Sequence, residues 1–105
     1  TPLQYAALSG RKEIVELLIT KGVDMNSNES GPTPLNIAIL IGRTEIAELL
    51  ITNGVDVNAK NRDKKTPLDL AYEWKQTETA DLLRKHGGKT GEELKAEQVD
   101  FTVTP

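Results

Sequence analysis

The chain has 105 residues, the length of one small domain, and 37% of them are hydrophobic whereas only 4% are aromatic. With so few aromatic side chains, the core must consist of closely packed Leu, Ile, Val and Ala, which suits thin layers of short helices. The net charge of -3 argues against nucleic acid as a partner, and the lack of Cys excludes disulfides and mildly favours an intracellular, cytoplasmic location.

The first segment, Thr1-Pro2-Leu3, is typical of a helix start. A Thr hydroxyl at the N-cap accepts a hydrogen bond from a free backbone N–H, and Pro at the first helical position loses no hydrogen bond. Ala6 and Ala7 follow Leu3 at the spacing of one buried helical stripe, and Gly10 interrupts the pattern. The pattern predicts a helix that ends before Gly10.

A second helix is predicted from about Glu13 to Thr20. Gly22 follows it, at the position where a residue in the left-handed conformation closes a helix with the least strain. The two helices are expected to be antiparallel. Because isolated helices of this length are marginal in water, the pair needs neighbours against which to pack.

The same pattern returns twice, because Thr33-Pro34-Leu35 and Thr66-Pro67-Leu68 follow the first triplet at intervals of 32 and 33 residues. The chain therefore divides into unit 1 (1–32), unit 2 (33–65), unit 3 (66–88) and a C-terminal extension (89–105). About three such units are the minimum for a stable stack with one continuous apolar seam. The repeats predict a single all-α solenoid domain.

The C-terminal end of this stack is polar. Thr79 and Arg84 stand where unit 2 has Ile46 and Ile51, as a terminal repeat with no further neighbour requires. A capping box at Thr90 predicts a short helix over about 91–98, and the rest of the chain is expected to be a frayed tail.

The N-terminal end has no comparable polar cap. Its large apolar residues are those of an internal repeat: Leu3, Tyr5, Ile14 and Leu17. The upstream face of unit 1 is therefore expected to be apolar and exposed. We expect the natural protein to continue upstream with at least one more repeat.

Thr-Pro-Leu, the Ala pair, the helix-breaking Gly, Ile14-Val15-x-Leu17-Leu18 and Gly22-x-Asp24-x-Asn26 together resemble the ankyrin-repeat pattern over about residues 1–88. Two departures bear on the structure. The His usual in that pattern is Gln4, Asn36 or Asp69 here, so its hydrogen bond to the Thr hydroxyl must be replaced or lost. A loop glycine, present as Gly31, becomes Lys64 in the next loop, which is expected to be strained or to turn differently.

The resemblance implies that a protein partner binds the concave side, formed by loop tips and first helices. It assigns the outward positions to the two residues before each helix break: Leu8, Ser9, Leu40, Ile41, Glu73 and Trp74. The loop tips contribute four further candidates: Ser30, Arg62, Asp63 and Lys65.

Three of these features carry the binding hypothesis. The segment from Ile37 to Ile41 is apolar almost all round, so part of Leu40 and Ile41 is expected to be exposed or covered by a partner. Trp74 is either a binding anchor or a structural cap folded against unit 3. Loop 60–65 carries four basic residues and one acidic residue, which suits an acidic, apolar partner segment or serves solubility.

Motifs that resemble reactive sites have simpler explanations. Gly88-Lys89-Thr90 lacks the earlier glycine of a phosphate-binding loop, because Leu83 occupies that position. His86 is the only histidine, so no metal-ligand set is expected. Carboxylate pairs such as Glu13 and Glu16 recur in every unit, which indicates a solvated helix face rather than acid–base catalysis.

These observations predict a monomeric, non-enzymatic protein-binding module without a cofactor. No apolar run reaches the roughly 20 residues that a membrane-spanning helix needs, so no membrane contact is expected. The alternative is a regulatory or substrate-recruiting ankyrin arm of a larger enzyme or channel.

Overall fold

A computed structural model describes residues 1–26 and 32–99, and that part of the chain is helical without any strand. The helices are α1 (Pro2–Ser9), α2 (Lys12–Thr20), α3 (Pro34–Ile41), α4 (Thr44–Thr52), α5 (Pro67–Glu73), α6 (Thr77–Lys85) and α7 (Gly91–Val99). Consecutive helices pack as the pairs α1–α2, α3–α4 and α5–α6. The first helices form one layer, α1–α3–α5, and the second helices form another, α2–α4–α6. The predicted solenoid of three helix pairs is confirmed.

The first helix of each unit begins as predicted, with Pro in the first turn and a Thr N-cap. In all three, the backbone N–H three residues on donates to the Thr hydroxyl over 3.1 to 3.2 Å: Gln4 to Thr1, Asn36 to Thr33 and Asp69 to Thr66. The second helices begin one residue earlier than predicted, at Lys12 and Thr44. Gly10 and Gly42, with φ of 73° and 80°, end α1 and α3 in the left-handed conformation.

The apolar core runs through all three units without interruption. Unit 2 contributes more buried side chains than either end because it has a neighbour on both sides. Ala6, Ala38 and Ala71, at equivalent positions of the first helices, are all buried. Small side chains there allow the helices of adjacent units to approach closely.

The upstream face of unit 1 is apolar and exposed, as predicted. Tyr5 is 71% exposed, whereas the equivalent Leu70 of unit 3 is 5% exposed. Ile14 is 43% exposed, whereas the equivalent Ile46 is 2% exposed against unit 1. Leu3 was wrongly assigned to this face, because residues of this chain cover it and it belongs to the core. Thr79 was likewise wrongly assigned to the polar C-terminal face, because it is buried with 1% exposure, whereas Arg84 is exposed as predicted.

The C-terminal helix α7 has the predicted capping box, in which Thr90 N–H donates to Glu93 and Glu93 N–H donates to the Thr90 hydroxyl. It extends one residue beyond the prediction, to Val99, and the rest of the predicted tail lies outside the described residues. Arg84 donates to Glu93 over 2.7 Å and ties α7 to α6. The Thr90 N–H and the Arg84 guanidinium both lower the pKa of Glu93.

Two lysines occupy the left-handed conformation that normally favours glycine. Lys64 has φ of 62°, which confirms the expected strain where Gly31 has no counterpart. Lys75 has φ of 56°, at the position that Gly10 and Gly42 occupy in the other units. Both backbones are held there by hydrogen bonds, from Lys64 N–H to Asn61 O and from Lys75 N–H to Tyr72 O.

Replacing either lysine with glycine should stabilise the chain. A side chain in this conformation costs about 1 to 2 kcal/mol, and Gly loses part of that gain through its unfolded-state entropy. We expect Lys64→Gly and Lys75→Gly each to raise the free energy of unfolding in urea by about 1 kcal/mol. Lys64→Ala and Lys75→Ala are the controls, because they remove the charge but keep the strain. If the Ala variants gained as much stability as the Gly variants, backbone strain at these two positions would be refuted.

Candidate functional site

A cavity of about 280 Å³ opens between α3 and loop 60–65. One side is formed by Pro32, Thr33, Asn36 and Leu40, and the other by the loop residues 60–63. It brings together three residues that the sequence predicted for partner binding: Leu40, Arg62 and Asp63. We call it the α3 cavity.

The loop beside this cavity has a defined shape because Asn61 organises its backbone. The Asn61 side-chain oxygen accepts hydrogen bonds from the backbone N–H groups of Asp63 and Lys65, over 2.9 and 3.0 Å. The backbone N–H of Asn61 donates in turn to Lys65 O over 2.9 Å. An Asx turn of this kind fixes the direction of the side chains at the loop tip.

The basic charge of the loop is partly neutralised. Lys65 forms an ion pair with Glu73, and this hydrogen bond raises the pKa of Lys65. Two predicted binding residues therefore contact each other. Among the described residues, neither Lys60 nor Arg62 has a carboxylate within ion-pair distance. The positive charge that faces the α3 cavity is thus carried by Lys60 and Arg62, whereas Asp63 contributes one negative charge.

The ends of the first helices carry large exposed apolar side chains. These are Leu8 on α1, Leu40 and Ile41 on α3, Tyr72 on α5 and Trp74 directly after it. Because α1, α3 and α5 lie side by side in one layer, these residues belong to neighbouring helix ends, which we call the apolar row. Leu40 is 38% exposed and Trp74 is 56% exposed, which favours the anchor over the cap for Trp74.

The remaining predicted binding residues divide into two groups. Ser9 and Glu73 are exposed beside the apolar row. Ser30 lies outside the described residues. Whether any of these residues contacts a partner stays a prediction.

Asn36 is a feature that sequence reasoning noted as a departure but did not assign to the site. Its side chain is 1% exposed, and neither its Nδ2 nor its Oδ1 has a hydrogen-bond partner among the described residues. Its counterparts are paired. Gln4 donates to Pro32 O at the end of its own unit, and Asp69 accepts from Thr66 N–H and Gly91 N–H over 3.0 Å. In the sequence, the signal that pointed to Asn36 was the absence of the usual His at positions 4, 36 and 69.

The segments that resembled reactive sites have structural roles. Gly88 N–H donates to Leu83 O over 2.6 Å and helps to close α6, which has His86 as its C-cap. Within residues 1–26 and 32–99, no group of three or more His, Asp or Glu is placed to hold a metal ion. In the same ranges, every helix is too short or too polar to cross a membrane.

Comparison with known proteins agrees with the repeat structure. A family model described as ankyrin repeats, in three copies, matches residues 3–93. No curated protein matches the chain. The matched range includes all three helix pairs and reaches into α7, and proteins of this kind generally serve as protein–protein interaction modules and typically are not enzymes. The chain belongs to the ankyrin-repeat family.

Proposed function

We propose that this chain is a monomeric, non-enzymatic module that binds a protein partner on its concave face. We define that face as the apolar row together with loop 60–65. The observation that carries the proposal is the position of Leu40, which belongs to the apolar row and also forms a wall of the α3 cavity. An apolar surface and a basic loop are therefore adjacent.

This combination fits a partner segment with both apolar and acidic side chains. Exposed Leu, Ile and Trp side chains gain free energy when a partner removes them from water, and Trp is frequent among binding hot spots. Lys60 and Arg62 would attract an acidic segment and orient it at the loop tip. The same face would serve a recruiting arm of a larger enzyme or channel, and the following test applies to either.

The test is the effect of Leu40→Asp and Trp74→Ala on affinity for peptides selected from a displayed random library. We expect each substitution to weaken binding by about 2 kcal/mol or more, roughly 30-fold, as loss of a hot spot does. Each should change the free energy of unfolding by less than about 1 kcal/mol, because both side chains are largely exposed in the free chain.

Leu17→Asp is the matched control, because Leu17 is half-exposed on α2 in the other layer. It should leave the affinity unchanged. If Leu17→Asp abolished binding whereas Leu40→Asp did not, the concave face would be the wrong surface. If Trp74→Ala lowered the melting temperature sharply, Trp74 would be a structural cap.

A further inference from the structure

The α3 cavity contains an unusual combination of groups. Its lining includes Asn36, whose amide group is buried and has no hydrogen-bond partner among the described residues. Its wall includes the apolar side chains of Leu40 and Pro32. Lys60 and Arg62 stand at its rim.

From this combination we infer that the α3 cavity is a subsite for one glutamate side chain of the bound partner. The inference rests on the proposed function and specifies the chemistry that the concave face recognises. The methylene groups of the glutamate lie along Leu40 and Pro32. Its carboxylate accepts hydrogen bonds from the Asn36 amide and from the cationic rim.

The unpaired amide is the reason for expecting a polar head group. A buried amide without a partner is unfavourable, so a ligand that supplies an acceptor gains more than one that leaves the amide unpaired. In the free chain the amide is shielded from solvent, and its side chain must turn towards the cavity to reach the ligand. Turning breaks no side-chain hydrogen bond of Asn36, because none is present among the described residues.

The charges at the rim select an anion over a cation or a neutral side chain. Lys60 and Arg62 outnumber Asp63, and neither has an ion-pair partner among the described residues. A hydrogen bond from a cation to a carboxylate is stronger than one between neutral groups. The cavity of about 280 Å³ has room for several waters of about 30 Å³ each, and hence for one long side chain. A free phosphate would leave the apolar wall without a contact.

The test is an NMR titration of the isotope-labelled chain with N-acetylglutamate N-methylamide. We expect saturable shifts of the Asn36 amide and Arg62 guanidinium signals, with a millimolar dissociation constant as suits so small a ligand. The glutamine analogue tests the charge and should bind about fivefold more weakly. Acetate and inorganic phosphate test for simple anion attraction and should not saturate at these residues.

Two variants and one control variant locate the binding. Arg62→Glu should weaken the glutamate probe about tenfold, whereas Lys64→Glu, the same charge reversal outside the cavity lining, should have little effect. Asn36→Leu replaces the amide with an apolar group of the same branching and should also weaken binding, with helicity checked by circular dichroism.

Three results would overturn the inference: no saturable shift, equal binding of a norleucine analogue, or equal losses for Arg62→Glu and Lys64→Glu. The library peptides separate this failure from failure of the proposed function. If the selected peptides depend on Leu40 and Trp74 but carry no glutamate, the concave face remains the binding surface and the glutamate subsite is excluded. Peptides that depend on neither residue would exclude the concave face itself.

Discussion

A copy of residues 33–65 placed directly before Thr1 should raise the free energy of unfolding by about 3 kcal/mol or more. The copy would cover Tyr5 and Ile14, because their equivalents Leu70 and Ile46 are buried and Ile37, the other equivalent of Tyr5, is partly buried. Burying a large apolar side chain contributes about 1.5 to 3 kcal/mol, and here two such side chains are partly exposed. The junction is natural, because Lys65 precedes a Thr-Pro pair in the chain as it stands.

Urea denaturation measures the change in the free energy of unfolding, and hydrogen exchange shows which helices become more protected. In the present chain, amides of α1 and α2 should exchange fastest among the three units, because unit 1 has one neighbour and an exposed apolar face. In the extended chain their protection should rise towards that of unit 2. Unit 1 amides that were already as protected as those of unit 2 in the present chain would contradict this account.

Ile14→Thr is the matched control for the graft, because Thr79 occupies the equivalent position in unit 3. In the present chain Ile14 is partly exposed, so the substitution should change stability by less than about 0.5 kcal/mol. In the extended chain it should remove about 1 kcal/mol of the gain, because the side chain is then buried. Equal effects in both chains would show that the copy does not pack on this face.

Asn36→Gln should stabilise the chain by about 1 to 2 kcal/mol, because the longer side chain can pair the buried amide that Asn leaves unpaired. Gln4 shows the geometry: its Nε2 donates to Pro32 O, the carbonyl directly before the next Thr-Pro. Lys65 O occupies the equivalent place for position 36. Thermal and urea unfolding measure the change.

The reciprocal substitution Gln4→Asn is the control and should lower stability, because it shortens the side chain that reaches Pro32 O. If Asn36→Gln were neutral or destabilising while Gln4→Asn had no effect, these hydrogen bonds to the carbonyl before the next Thr-Pro pair would not contribute to stability. The glutamate probe should also bind less well to Asn36→Gln, since the paired amide no longer favours a ligand acceptor.

The helix starts and helix ends could be predicted from the sequence because they depend on local interactions. A Thr-Pro pair caps a helix through its own hydroxyl and ring, and Gly10 or Gly22 turns the chain through its own φ. The strain at Lys64 followed from the same local argument. The repeat of these signals then indicated the stack, and the ankyrin family match confirms it.

The exposure of Leu40 and Ile41 was also predictable, from position within the repeat and from a helix with more apolar residues than one buried face requires. The sequence left open whether Trp74 is an exposed anchor or a structural cap. The burial of Leu3 was not predictable, because the composition of unit 1 does not say which of its apolar residues face upstream. Only contact with the rest of the chain buries Leu3 and leaves Tyr5 exposed.

The sequence by itself determined the helices and their order, since these depend on residues a few positions apart, and the repetition of the helix signals indicated the three-unit stack. The tertiary structure alone decided the pairing of Lys65 with Glu73, the α3 cavity and the unpaired amide of Asn36. These features depend on the spacing between the first helices and the loops packed against them, where one methylene group separates a paired Gln4 from an unpaired Asn36. Such a difference is a matter of ångströms between side chains about 30 residues apart, and no local pattern encodes it.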